Sequence, residues 1–490
     1  MTFDLSIRDA LLVDGSGQPP RISDVHIEGD RIARVGPGPT AKREIAARGR
    51  ALSPGFVDVH AHDDAALLTN PGLSFKVLQG VTSVVIGNCG FSLAPLVSGE
   101  AEPPGNASLF PGCSQRFADL EAYARAFSAA GPALNAISLL GHNAIRARVM
   151  GIEEREPSDL EIAAMRGHLQ CALEQGAAGF STGLIYRPGR VATSQEIVEV
   201  ARPLADFGAL YATHMRSEGD RLLESVEETL AIAAAVGCRA QISHHKAGGR
   251  RNWGKIKASL ARIDAANASG ADITLDVYPY VAGSGPMIEY FDLTKIDLAL
   301  AEIIQVASCP GCPSYEGRRL PEIAATEGVG LAELVTKILT LPGAERTVAI
   351  TFMMDEADVE ANLRHARVMV GSDGLPNPEG RPHPRLYGTF PRVLGEYARQ
   401  RGLLTLEAAV EKMARLPCER FGLRERGLIK DGFFADLVLF DPHSISDRAT
   451  YADPKQSPLG IDLVMVNGRV AAEGGSTTDL RAGRFLRFNK

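Results

Sequence analysis

No apolar stretch in this sequence reaches the roughly 18 residues that a bilayer-spanning helix requires. The opening residues, Met1-Thr2-Phe3-Asp4-Leu5-Ser6-Ile7-Arg8-Asp9, put charges where the apolar core of a signal peptide would lie. The expectation is a cytoplasmic chain with no membrane partner. Basic charge is also scarce: 52 Lys and Arg against 59 Asp and Glu give a formal net charge of -7, which leaves no cationic footprint for nucleic acid. Cysteine is sparse, odd in number and dispersed, with 7 in 490 residues. That pattern argues against a disulfide framework and leaves free thiols or metal ligands. Cys309 and Cys312 form a C-x-x-C, but no second pair lies near to complete a four-ligand zinc site, and no redox context surrounds it. No role is read for them. Repeats and low-complexity tracts are absent, and 45% hydrophobic with 23% charged residues fits a globular protein with a large core.

Two textures divide the chain. From Leu5 to Pro54, and again from Ala435 onward, short strand-like runs alternate with turn signals such as Asp14-Gly15-Ser16-Gly17 and Asn467-Gly468. The termini are therefore expected to share one small β-sandwich domain, residues 1–54 plus 424–490. The middle alternates strand-like and helix-like stretches, the pattern of βα units around a parallel sheet. Eight apolar runs end in polar or small residues: Phe56 to His62, Thr82 to Cys89, Leu134 to His142, Ala177 to Leu184, Leu210 to Met215, Ala240 to Lys246, Ile273 to Tyr280 and Val368 to Asp373. Eight such runs close a TIM-like (β/α)8 barrel over residues 55–423. Helices are expected over Asp159 to Gln175, Gln195 to Phe207, Leu222 to Val236 and Ile256 to Ala268. The interval between the seventh and eighth runs is too long for one crossover helix, so an inserted lid or subdomain is expected at 285–345.

Chemistry in such a barrel gathers at the C-terminal ends of the strands. His60 and His62 end the first run, and alternation would aim both at one point. Taken alone, H-x-H also describes two surface histidines. Cys89, His142, His214, the pair His244-His245 and Asp373 then end five later runs, a placement that scattered structural histidines have no reason to adopt. Metal-assisted hydrolysis is the reading. Of His244 and His245, strand alternation lets one face the mouth.

The segments Pro54-Gly55-Phe56-Val57-Asp58-Val59-His60-Ala61-His62, Gly87-Asn88-Cys89-Gly90, Ser243-His244-His245-Lys246 and Gly371-Ser372-Asp373-Gly374-Leu375-Pro376 carry a closer likeness. The chain resembles the N-acyl-D-amino-acid deacylases of the amidohydrolase superfamily nearly end to end. The resemblance implies a small-molecule substrate, a linear N-acyl-D-amino acid, and a tight zinc held by Cys89, His214 and His244. It implies a second position, weakly filled or empty, at His60, His62 and Asp373. The fourth run ends without the lysine that bridges two metals in many relatives, and a Cys89 thiolate is the natural substitute. Asp373 is the expected general base, and Arg385, Tyr280, Ser284, Lys246 and Tyr186 resemble the substrate pocket. The lid stretch Gly285-Pro286-Met287-Ile288-Glu289-Tyr290 is apolar and acidic, which favours neutral or apolar D-residues, while Arg187 and Arg190 leave an acidic preference open. A cyclic-amide hydrolase of the dihydropyrimidinase or dihydroorotase kind is a rival on the same barrel. A catalytically silent scaffold is the rival from outside enzymes, and it would be expected to have lost ligands.

Overall fold

The computed structural model describes residues 2–377 and 379–488. Met1 and Asn489-Lys490, the outer ends of the expected terminal domain, lie outside the described residues. The middle of the chain forms an eight-stranded parallel barrel of Phe56–Asp58, Val81–Ile86, Asn135–Gly141, Gly179–Gly183, Leu210–His214, Arg239–Ile242, Ile273–Val277 and Val368–Val370. Each strand pairs with its successor in this order. The seam between the first and last is closed just past their ends, where Ala61 bridges Gly374 in parallel and Asp373 N–H donates to His60 O at 2.7 Å. Every residue of the second, third, fourth and fifth strands is buried. Burial at every position, with no exposed face, is the pattern of strands covered on both faces.

Helices wrap the barrel where the apolar spacing places them. Asp159–Glu174 starts on a capping box, with Ser158 accepting from Glu161 N–H and the Glu161 carboxylate reaching back to the Ser158 N–H. Leu222–Val236 and Lys255–Ala268 follow the fifth and sixth strands. The single helix expected over Gln195 to Phe207 is instead two, Ser194–Ala201 and Pro203–Phe207, because Pro203 has no N–H to continue the first.

The terminal segments form one nine-stranded sheet in which Ala51–Pro54 from the N-terminal part pairs antiparallel with Leu437–Phe440 from the C-terminal part. The far edge strand, Arg31–Val35, returns to the segment entering Leu437–Phe440, where Ile32 N–H donates to Phe433 O at 2.8 Å. Leu5, Ile7, Val25, Ile27, Leu52, Leu437 and Leu463 fill the core of this curled sheet. Between the seventh and eighth barrel strands, Gly283–Pro286, Ile304–Ser308 and Val348–Thr351 make a small antiparallel sheet with Val348–Thr351 in the centre. The helices Leu320–Glu327 and Leu331–Thr340 cover it with their own core of Leu320, Ile323, Leu334, Val335 and Ile338. Cys309 and Cys312 are free thiols in the turn after Ile304–Ser308. Among the described residues no helix is long and apolar enough to cross a membrane.

Candidate metal centre

The donors stand at or just past the barrel strands' last residues, where regular pairing has ended. Cys89, His244 and Asp373 have φ of +54°, +35° and +48°, a region that costs a non-glycine residue about 1 kcal/mol or more. Three such residues at one mouth mark a place where position outweighs local comfort. Two glycines let the backbones close in: a Cβ on Gly183 would stand 2.1 Å from Cys89 O, and one on Gly371 would stand 2.6 Å from the His60 Cβ.

The result is an unbroken chain of donor side chains. Asp373 Oδ1 lies 3.2 Å from His62 Nε2 and 3.6 Å from His60 Nε2. His60 Nε2 lies 3.2 Å from Cys89 Sγ, and His244 Nε2 lies 3.4 Å from the same sulfur. His244 then meets His214, with ring centroids 4.3 Å apart. Among the described residues, three sets have donor atoms all within 4.8 Å of one another: His60 with Cys89 and His244, His60 with His62 and Asp373, and His214 with Glu218 and His244. Cys89 is thus grouped with His60 and His244, and His214 joins through His244. Imidazoles, a thiol and carboxylates in such groups suit a transition-metal ion. His214 supplies a test of that fit: it is buried, yet among the described residues neither ring nitrogen has a hydrogen-bond partner, a costly state that a facing cation relieves.

Neighbouring carboxylates orient these donors. Asp276, at the end of the seventh strand, lies 3.3 Å from His60 Nδ1 and accepts the His244 N–H at 2.8 Å and Gln241 Nε2 at 2.7 Å. Glu218 Oε1 lies 2.8 Å from His244 Nδ1 and also takes the Lys246 ammonium. Asp58 accepts the N–H groups of Ser372 at 2.8 Å and His60 at 3.2 Å, and pairs with the buried Lys76, fastening both sides of the seam. Burial pushes His214 and His244 well below the ordinary histidine range, which keeps them in the neutral form that ligates. Burial alone would raise Asp373, but Arg385 foremost, then His60 and His62, holds its carboxyl well below the usual carboxylate range. Carboxylate partners of metal-bound histidine typically contribute ~10–100-fold in metal affinity. Glu218→Gln is therefore expected to weaken zinc binding by about that factor, read by chelator competition. Unchanged affinity would remove Glu218 from this role.

The expected substrate residues divide. Arg385 is fully buried, with Nη1 3.0 Å from Asp373 Oδ2, Nη2 donating to Ser284 O at 3.0 Å, and its guanidinium 4.5 Å over the Tyr278 ring. Lys246 is held by Glu218 and His244, and Tyr186 packs on His214 with ring centroids 4.8 Å apart. Tyr280 instead packs edge-on against His383 at 5.2 Å and beneath Arg392 at 5.0 Å, while Tyr278 is the tyrosine that faces Arg385 and Lys246. His245 turns away to Asn362 and Ser259, each at 2.7 Å, and His142 Nε2 lies 2.9 Å from Glu196, which also pairs with Arg146. Glu218 and Asp276 were not singled out from the sequence. The signals available were a carboxylate four residues after His214 and a lone Asp inside an apolar strand.

The profile of the amidohydrolase family matches residues 43–472 of this chain. The chain is 44% identical over 488 residues to a D-aminoacylase of Alcaligenes xylosoxydans xylosoxydans, covering 99% of this chain and 97% of that one. It is also 44% identical over 490 residues to an N-acyl-D-glutamate deacylase of the same organism, covering 99% and 96%. Among solved structures, an N-acyl-D-glutamate deacylase from Bordetella bronchiseptica, complexed with zinc and a phosphonate mimic of the tetrahedral intermediate, superposes with a TM-score of 0.93 at 39% identity, covering 99% of this chain and 100% of that one.

Proposed function

This chain belongs to the amidohydrolase family, and we propose that it hydrolyses the acyl amide of N-acyl-D-amino acids, releasing a carboxylate and a free D-amino acid. The observation that carries the reading is the buried run of donors from His62 through Asp373, His60, Cys89 and His244 to His214, set at the mouth of the barrel. Cys89, His214 and His244 would hold one zinc tightly, and His60, His62 and Asp373 a second ion weakly. The zinc-bound relative supports that choice of metal. Bound zinc would polarise the acyl oxygen and lower the pKa of a coordinated water toward about 7.

The chain's own residues do the rest. Asp373, kept ionised beside Arg385, takes a proton from the attacking water and returns it to the departing nitrogen. Arg385 ion-pairs with Asp373 through Nη1 and donates from Nη2 to Ser284 O, but among the described residues neither its buried Nε nor Nη1 has a hydrogen-bond partner, an edge left for the substrate's α-carboxylate. Tyr278, stacked on that guanidinium, fixes its plane. Lys246 and Glu218 hold His244. The side-chain pocket takes neutral or apolar D-residues. Identity does not decide that point, because the chain is 44% identical to both an aminoacylase and a glutamate deacylase.

The test is amine release from N-acetyl-D-methionine, N-acetyl-D-leucine and N-acetyl-D-glutamate, with their L-enantiomers, by zinc-replete protein. The D-methionine and D-leucine compounds should be cleaved, chelation should stop cleavage, and zinc should restore it. Release from none of the D-compounds would defeat the proposal, and dominant cleavage of N-acetyl-D-glutamate would overturn the neutral preference.

A further inference from the structure

Cations at the barrel mouth are already matched with carboxylates: Arg385 with Asp373, Lys246 with Glu218, and Arg187 with Glu289. The third pair belongs to none of the machinery above. Arg187 follows Tyr186, whose ring packs on His214, so its loop borders the metal donors directly. Glu289 lies in the inserted segment next to Tyr290, in a short 3-10 turn over Met287–Glu289. Its Oε2 stands 3.5 Å from Arg187 Nε and accepts the Arg187 N–H at 3.3 Å. Its Oε1 is buried and has no hydrogen-bond partner among the described residues, and the side chain is only 1% exposed. A buried acceptor left unpaired is costly unless something that enters the site donates to it.

We propose that Glu289 is a specificity-determining residue that excludes acidic D-amino-acid side chains and accepts those carrying a hydrogen-bond donor, D-glutamine being the type case. The assignment rests on the deacylase reading of this site. Two effects act together. Glu289 occupies Arg187, the cation on the strand-four loop that a substrate carboxylate could otherwise recruit. Its unpaired oxygen then confronts any second carboxylate with a like charge at low dielectric, where such contacts are severely unfavourable. An amide NH2 at the same place would donate to that oxygen and relieve it, and an aliphatic side chain would do neither. Burial foremost raises the pKa of Glu289, and the neighbouring Arg187 opposes the rise.

N-acetyl-D-glutamine and N-acetyl-D-glutamate are nearly isosteric and differ in charge and donor, so the ratio of their kcat/KM values reads this contact. The holoenzyme should favour the glutamine compound by at least ~100-fold. In Glu289→Gln, which keeps the shape, removes the charge and releases Arg187, that ratio should fall by at least ~10-fold. A ratio taken within one preparation is insensitive to the fraction folded, and Glu289→Met provides a second measurement with the same expected direction. A wild-type ratio near unity, or a ratio unchanged within about twofold in both variants, would overturn the assignment while leaving the deacylase reading standing. Cleavage of no N-acyl-D-amino acid by the wild type would overturn both.

Discussion

Asp373→Ala is expected to lower kcat by ~10²–10⁴-fold while metal analysis still finds zinc bound. Asp373 stands where two demands meet. One oxygen lies 3.2 Å from His62 and 3.6 Å from His60, and the other lies 3.0 Å from Arg385. The arginine holds the carboxyl in its basic form well below the usual range, so the residue can accept a proton from water at neutral pH. Truncation to alanine also leaves a fully buried guanidinium without its counter-charge, and breaking a buried pair in this way costs about 3–5 kcal/mol. A loss of activity in the alanine variant thus mixes chemistry with stability. Asp373→Asn separates them, because the amide oxygen can still accept from Arg385 but the group can no longer act as a base. Folded Asp373→Asn that binds zinc and turns over ~10²-fold or more slowly supports the role. Turnover near wild type in that variant would remove Asp373 from proton transfer.

The positions of the donors also show where sequence reasoning stops. Eight apolar runs and the split terminal domain could be read directly, since a strand buried on both faces has no polar alternation to disguise it. The ends of those runs could not. His60 and His62 were placed by alternation on a strand, but the first strand is Phe56–Asp58 and both histidines follow it. They share Asp373 because the chain bends at the seam. His245 does turn away from the mouth, yet its neighbour His244 has φ +35°, so the reason is a left-handed turn rather than the pleat of a strand. The same loss of register explains the tyrosines. Past Val277 no period relates one residue to the next, and Tyr278, not Tyr280, is delivered to Arg385. Glu218 and Asp276 escaped for a different reason. Carboxylates that orient a ligand have no spacing of their own and become visible when the ligand's ring nitrogen has a position. Six donor side chains could be named in advance, and of the two sets expected, His60 with His62 and Asp373 groups as named, whereas Cys89 groups with His60 and His244, and His214 with Glu218 and His244. That grouping depended on the closed seam and on glycines at 183 and 371, whose close approaches only a three-dimensional path reveals.

Cys89→Ala is expected to have the other large effect, a fall in both zinc content and turnover of more than ~100-fold, since removing a ligand should exceed the ~10–100-fold seen for groups that merely orient one. The sulfur sits between His60 and His244, 3.2 Å and 3.4 Å from their Nε2 atoms, and thereby joins the two halves of the donor chain. Burial pushes the Cys89 thiol up, with His60 partly opposing, so the thiolate depends on nearby positive charge to form. The fourth strand, Gly179–Gly183, carries no lysine and is followed by no anionic side chain that could replace the sulfur. Cys89→Ser separates size from softness, because a hydroxyl fills the space but is a far poorer ligand for zinc than a thiolate. Cys89→Asp restores an anion, so it should recover metal in part and shift preference toward harder ions such as manganese. Left-handed backbone at position 89 is tolerated by aspartate, so the rescue is conformationally open. Full zinc content and normal turnover in Cys89→Ala would show that His60, His214 and His244 suffice without the thiolate, and the proposed centre would have to be redrawn around the imidazoles.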